Sequence, residues 1–169
     1  MKRTAKGLVL VALLIAMGSA AVGQESLQDI VDGQGLGWME GQWKASTDDG
    51  TDILVGFQWG ANGHALVHDL KMGDRASHGV IYFVADEEQV KEFGVDSRGK
   101  VTQATWESQG AKAICKTKWT DEYGDSTDVA FAYSKVDSKT MKVEVYTLEN
   151  GELSWDPVFE LNFNRQKKK

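Results

Sequence analysis

The sequence is poor in the residues that staple or stiffen a chain. Among 169 residues there is one cysteine, Cys115, and one proline, Pro157. A single thiol excludes an intrachain disulfide, so stability has to come from burial. The plain reading of Cys115 is a small buried hydrophobe. Histidine is also scarce, with three residues and none after His78. Basic charge is in deficit: 19 Lys and Arg stand against 25 Asp and Glu, a formal net charge of −6. Without Lys2, Arg3 and Lys6 the balance falls to −9, and Arg165, Lys167, Lys168 and Lys169 hold four of the remaining positive charges in one short tail. A body this acidic argues against nucleic acid as a partner, because neutralising phosphates takes a basic face.

The start of the chain has the three parts of a secretory signal peptide. Lys2, Arg3 and Lys6 are basic, residues 7–17 are apolar, and small residues run from Gly18 to Gly23. The apolar run is shorter than the ~20 residues a membrane span needs, and no later run reaches that length. Residues 1–23 are therefore expected to be removed after Ala21 or Gly23. The mature protein is then periplasmic or secreted, with no stable membrane insertion. Residues 24–37 form a short helix and linker. Ser26 and Asp29 have capping-box spacing, Leu27, Ile30 and Val31 share a face, and Gly33 ends the helix. Such a helix suits one mouth of a barrel.

From Gly41 the pattern has period two, broken about every ten residues by turn signals such as Asp49-Gly50, Asn62-Gly63, Gly73-Asp74, Arg98-Gly99 and Asn150-Gly151. This predicts ten strands over 42–48, 51–60, 64–72, 77–85, 89–97, 100–108, 111–120, 126–135, 139–148 and 157–165. Pro157 opens the last, where a missing donor costs little. Hairpin-length connections favour a meander, and closure removes its two edges. The fold class is all-β: a ten-stranded antiparallel up-and-down barrel over 38–165, with 166–169 as a basic tail.

Alternation assigns the inward aromatics as Trp43, Phe57, Trp59, Phe93, Trp106, Trp119, Phe131, Tyr133, Phe159 and Phe163. Residues 80–84 are continuously apolar, which predicts a strand buried on both faces beneath the N-terminal helix. Ten strands enclose more volume than eight. A cavity lined by Phe57, Trp59, Leu66, His68, Trp106, Cys115, Trp119, Phe131 and Tyr133 would suit a small hydrophobic ligand. A core simply filled by the same rings fits the pattern equally.

Candidate chemistry is thin. His64, His68 and His78 fall on adjacent strands, but His64 and His68 are ~13 Å apart along one strand at ~3.3 Å per residue, too far for one zinc. No metal site and no cofactor is expected. His68 shares parity with Leu66 and Leu70 and points inward. The acidic pairs Asp48-Asp49, Glu87-Glu88 and Asp121-Glu122 sit in turns, and no serine has a nucleophile-elbow context. The chain is not read as an enzyme.

Gly41-Gln42-Trp43 after a short helical lead-in resembles the Gly-x-Trp of the lipocalin and calycin barrels. The Trp38-to-Trp43 start, the segment from Phe57 to His64 and the segment from Gly94 to Gly99 are most similar to uncharacterised secreted bacterial lipocalin-like families. The resemblance spans residues 38–165. It implies that Trp43 packs against Arg165, which has the parity of Phe159, Leu161 and Phe163, and so closes the barrel. Ten strands, no disulfide and no C-terminal helix depart from the true lipocalins and look more like fatty-acid-binding proteins or haem-binding nitrobindins. The nitrobindin haem histidine lies near the C-terminus, where this chain has none, so a haem role would fall to His68.

Overall fold

The structure, a computed structural model, describes residues 25–120 and 124–167. The expected signal peptide, the Asp121-Glu122 pair, Lys168 and Lys169 lie outside the described residues. Eleven strands follow in order: β1 (Gly41–Ser46), β2 (Asp52–Gly60), β3 (Ala65–Met72), β4 (Arg75–Val84), β5 (Gln89–Asp96), β6 (Val101–Gln109), β7 (Lys112–Thr120), β8 (Ser126–Lys135), β9 (Thr140–Glu149), β10 (Glu152–Leu153) and β11 (Phe159–Arg165). Strands β1 to β9 form a continuous antiparallel meander, β9 also pairs with β11, and β11 returns to β1. The sheet is thus a closed ten-stranded barrel, as the turn spacing predicts. The two-residue β10 was not predicted. The Asn150-Gly151 turn folds it onto Glu149 and Leu148, ahead of the loop that leads into β11.

The N-terminal helix α1 (Leu27–Gly33) carries the predicted capping box: the Ser26 hydroxyl accepts from the Asp29 amide, and the Asp29 carboxylate accepts from the Ser26 amide. Leu27 is buried with Leu36, Met39 and Trp43, so the helix and the following 3₁₀ turn (Gly37–Met39) plug one end of the barrel. The helix packs on β3 rather than over β4. This corrects the expectation for residues 80–84. Ile81 faces the core, whereas Val80 and Tyr82 face out and are more than a third exposed. A run of apolar residues reads as doubly buried, but here no layer among the described residues covers the outward members.

Two apolar clusters result. The larger fills the barrel around Trp43, Phe57, Leu66, Ile81, Cys115, Tyr133, Met141 and Phe163. The smaller lies on the outer wall, where Ile114, Ala130 and Ala132 are buried beneath Tyr146. Beside it Glu144, nearly buried, accepts from Lys112 at 2.8 Å and Lys142 at 2.7 Å. Burial pushes the Glu144 carboxyl up, but the two ammonium groups outweigh it and hold it below the ordinary value.

The closing seam is uneven. Only Trp43↔Arg165 and Lys44↔Asn164 are in register between β1 and β11, whereas every other pair of adjacent barrel strands runs through six or more. Ala45 and Ser46 have no register partner on β11, so the two strands part toward the end opposite the helix.

Candidate functional site

Two arrangements bear on function: the clasp at one end and a polar group inside the barrel. At the clasp, the Arg165 guanidinium carbon sits 4.1 Å from the Trp43 ring centroid. Its Nη1 and Nη2 donate to the carbonyls of Glu40 and Trp38 at 2.7 and 2.6 Å, and Nε donates to Ser138 at 3.3 Å. The Trp43 indole N–H donates to the Met39 carbonyl at 2.9 Å. Gly41 is required here. Its φ is +130°, and a Cβ there would lie 2.6 Å from Arg165 Nη1. The Gly-x-Trp spacing therefore makes room for the arginine as well as placing the indole.

The interior group is centred on β5. Parity there runs opposite to the sequence expectation: Val90, Glu92 and Gly94 face in, while Phe93 faces out and is 48% exposed. This corrects the inward assignment of Phe93. A phenylalanine is left in water so that a carboxylate can be buried, which reverses ordinary burial preferences. The carboxylate is compensated. Glu92 Oε1 lies 2.9 Å from His68 Nδ1, and Glu92 Oε2 accepts from the Trp106 indole N–H at 2.8 Å. The side chains of His68 and Glu92 are 12% and 10% exposed. Burial pushes the Glu92 carboxyl up, but the His68 and Trp106 hydrogen bonds more than offset this and hold it below the ordinary 4.5. An ionised carboxylate only accepts, so His68 carries a proton on Nδ1.

Gly79 provides the space for this carboxylate, because a Cβ at that position would collide with Glu92 Oε1. Aromatic rings complete the enclosure. Phe57 stacks on the His68 imidazole at 4.8 Å and 5°, Trp106 meets it edge-on at 6.0 Å, and Tyr133 stacks on Trp106 at 5.4 Å. Cys115 is the register partner of both Trp106 and Phe131. Burial pushes its thiol well up, and the Glu92 charge adds to the effect. Burial likewise raises the Tyr133 phenol, with smaller contributions from Cys115 and Glu92. One polar atom in this group is left over: His68 Nε2 is shielded from solvent and meets no hydrogen-bond partner among the described residues.

The structure thus brings together Phe57, Leu66, His68, Trp106, Cys115 and Tyr133 from the expected set, with Trp59 and Phe131 half-buried against them. Trp119 stands apart. It lies near the end of β7 and is 45% exposed, because β7 runs past the packed interior there. Phe159, read as inward, is similarly exposed beside the parted seam. His64 is exposed next to a turn, and His78 faces out to Asp69 at 2.6 Å. Sequence reasoning missed Glu92 and Gly79. Gly79 inside a predicted strand was the available signal, since a strand glycine often marks a close approach.

Among the described residues no cluster of three or more His, Cys, Asp or Glu could hold a metal ion. Two open crevices, of about 360 and 250 Å³, lie on the outer wall, the larger lined by Tyr82, Lys91, Phe93, Gln103, Thr105 and Lys116 among others. No protein-family model matches the chain, and no curated protein matches it by sequence. The architecture itself, a closed ten-stranded antiparallel barrel, is compatible with a lipocalin-like fold.

Proposed function

We propose that this barrel is a lipocalin-like protein, a reading its Trp43–Arg165 clasp supports, and that it binds a small apolar molecule that carries one polar group. It does so outside the cytoplasm and without chemical conversion. The observation that carries this reading is the unpartnered His68 Nε2 inside an aromatic enclosure. An unsatisfied buried polar atom costs about 1–3 kcal/mol, and a guest that pairs with it recovers that cost. With Nδ1 donating to Glu92, Nε2 is the ring atom left for the guest's polar group, and a hydroxyl can pair with it in either direction. The rings of Phe57 and Trp106 must yield to admit it, which restricts the guest to a small molecule.

The export reading rests on the basic residues and apolar run of the first 17 positions. A second reading, a barrel filled for stability alone, is favoured by the ring-to-ring contacts among Phe57, Trp106 and Tyr133. A haem reading fits less well. Phe57 covers one face of the imidazole and Trp106 stands at its edge, where a porphyrin would need open space. A Soret band on protein from its own host would reverse that judgement.

Titration with straight-chain alcohols of increasing length, followed by tryptophan fluorescence, separates the first two readings. Ligand binding predicts a saturable change that strengthens with chain length and disappears in His68→Phe. A filled barrel predicts no saturation in either protein.

A further inference from the structure

The loop between β10 and β11 carries the most exposed large apolar side chain among the described residues. Trp155 is 96% exposed, and Val158, three residues on, is 64% exposed. Phe159 follows, nearly half exposed, where β1 and β11 part. The loop is anchored at both ends: the Ser154 amide donates to Thr147 at 2.9 Å and the Val158 amide to Val145 at 2.8 Å. Pro157 limits the backbone between these anchors. The apolar side chains are thus displayed on a fixed protrusion.

We propose that this loop docks on a zwitterionic lipid surface. Three features favour that occupant. The apolar area is small, roughly 500 Å² even with Trp155 and Phe159 counted in full at 150–250 Å² each, below the ~800 Å² per partner of a stable protein interface. The surroundings are acidic on balance: Glu149, Glu152, Asp156 and Glu160 are all exposed around the loop, against Lys142, paired with Glu160 at 3.5 Å, and Lys116, which donates to the Gly151 carbonyl at 3.2 Å. A second copy of the chain would bring like charges together, and an anionic bilayer would be repelled. A zwitterionic headgroup turns its cationic amine outward, toward those carboxylates, and an indole accommodates a quaternary ammonium by cation–π contact. The protrusion also borders the parted seam, so docking would face the least tightly paired part of the wall toward the bilayer. This inference does not depend on the interior ligand site.

The test is flotation of the protein as exported and processed by its host, with phosphatidylcholine vesicles, with and without an anionic lipid, for the wild type and the double variant Trp155→Ala/Val158→Ser. In the absence of the apolar N-terminal run, which would itself partition, their difference reads the loop alone. The expected result is partition of the wild type onto phosphatidylcholine, weakened by anionic lipid and reduced roughly tenfold or more in the variant, with an unchanged melting temperature. Equal partition of the two proteins, partition confined to anionic vesicles, no partition of the wild type, or self-association of the wild type abolished by the variant would each overturn the proposal.

Discussion

Trp43 and Arg165, 122 positions apart in the sequence, are register partners across the closing seam, with the guanidinium stacked 4.1 Å from the indole centroid. The same guanidinium donates to three backbone carbonyls from two chain segments. β1 and β11 share only one other register pair, and the Gln166 amide donates to the Gln42 carbonyl at 2.7 Å, so the Trp43–Arg165 contact is one of few links across the seam. Arg165→Lys keeps the charge but loses the planar fork. It is expected to destabilise the fold by about 1–3 kcal/mol, and Arg165→Ala by about 2–4 kcal/mol, from the lost cation–π contact and charge-assisted hydrogen bonds. Urea unfolding checks both. A loss below 0.5 kcal/mol in each, on the scale of an ordinary surface substitution, would show that the seam closes without the clasp.

Gly41→Ala acts on the same contact from the other side. The new Cβ meets Arg165 Nη1, and alanine is strained at a φ of +130°. The expected cost is about 1–3 kcal/mol. In Gly41→Ala/Arg165→Ala the penalties are expected to be less than additive, since the collision is gone. Full additivity in the double mutant would place the whole effect in the backbone.

Glu92 gives a pH signature with a definite sign. Its folded value is depressed below 4.5, so the native state holds fewer protons there than the unfolded chain. Its contribution is complete above the ordinary glutamate value and is lost as pH falls through the folded value. Glu92→Gln is therefore expected to lower stability at pH 7 by about 1–3 kcal/mol and to narrow its gap to the wild type as pH falls below the ordinary 4.5. Asp49, Asp96 and Asp137 are also held low and contribute to the acid slope of both proteins. The difference between the two slopes isolates Glu92, and parallel slopes would mean that its carboxylate is not specifically stabilised.

Gly79→Ala should reproduce part of that phenotype while leaving Glu92 in the sequence. The methyl collides with Glu92 Oε1 and displaces the carboxylate from His68. A destabilisation of about 1–3 kcal/mol is expected, together with a changed His68 ring resonance by NMR. An unchanged resonance would mean that the carboxylate does not need that space.

Cys115 is expected to be inert in the native protein. It is buried and its thiol is raised well above the ordinary value, whereas thiolate is the reactive form. An Ellman-type reagent at pH 8 should label it only at the rate of unfolding. Rapid native labelling would show that solvent reaches the aromatic enclosure.

Much of the barrel was legible because strand period and turn chemistry are local. Asn62-Gly63, Arg98-Gly99 and Asn150-Gly151 mark reversals wherever the strands end up. The clasp was legible through Gly41, Trp43 and the parity of Arg165. The interior site was only half legible. His68, Trp106, Cys115 and Tyr133 follow from alternation, but Glu92 does not, because hydrophobicity alone chooses Phe93 for the inside of β5. What decides that register is a tertiary fact: His68 and Trp106 arrive from other strands to pair the carboxylate, and Gly79 clears its space. The exposure of Trp119 and Phe159 escaped notice for a related reason, since parity assigns a face and does not say where along a strand the packing stops.

The central claim is that His68 anchors a small guest inside the barrel. Native mass spectrometry of the protein purified from its own host, wild type beside His68→Phe, tests it most directly. The account predicts a small additional mass on the wild type that is absent from the variant. Bare polypeptide mass in both, or the same adduct on both, would contradict it.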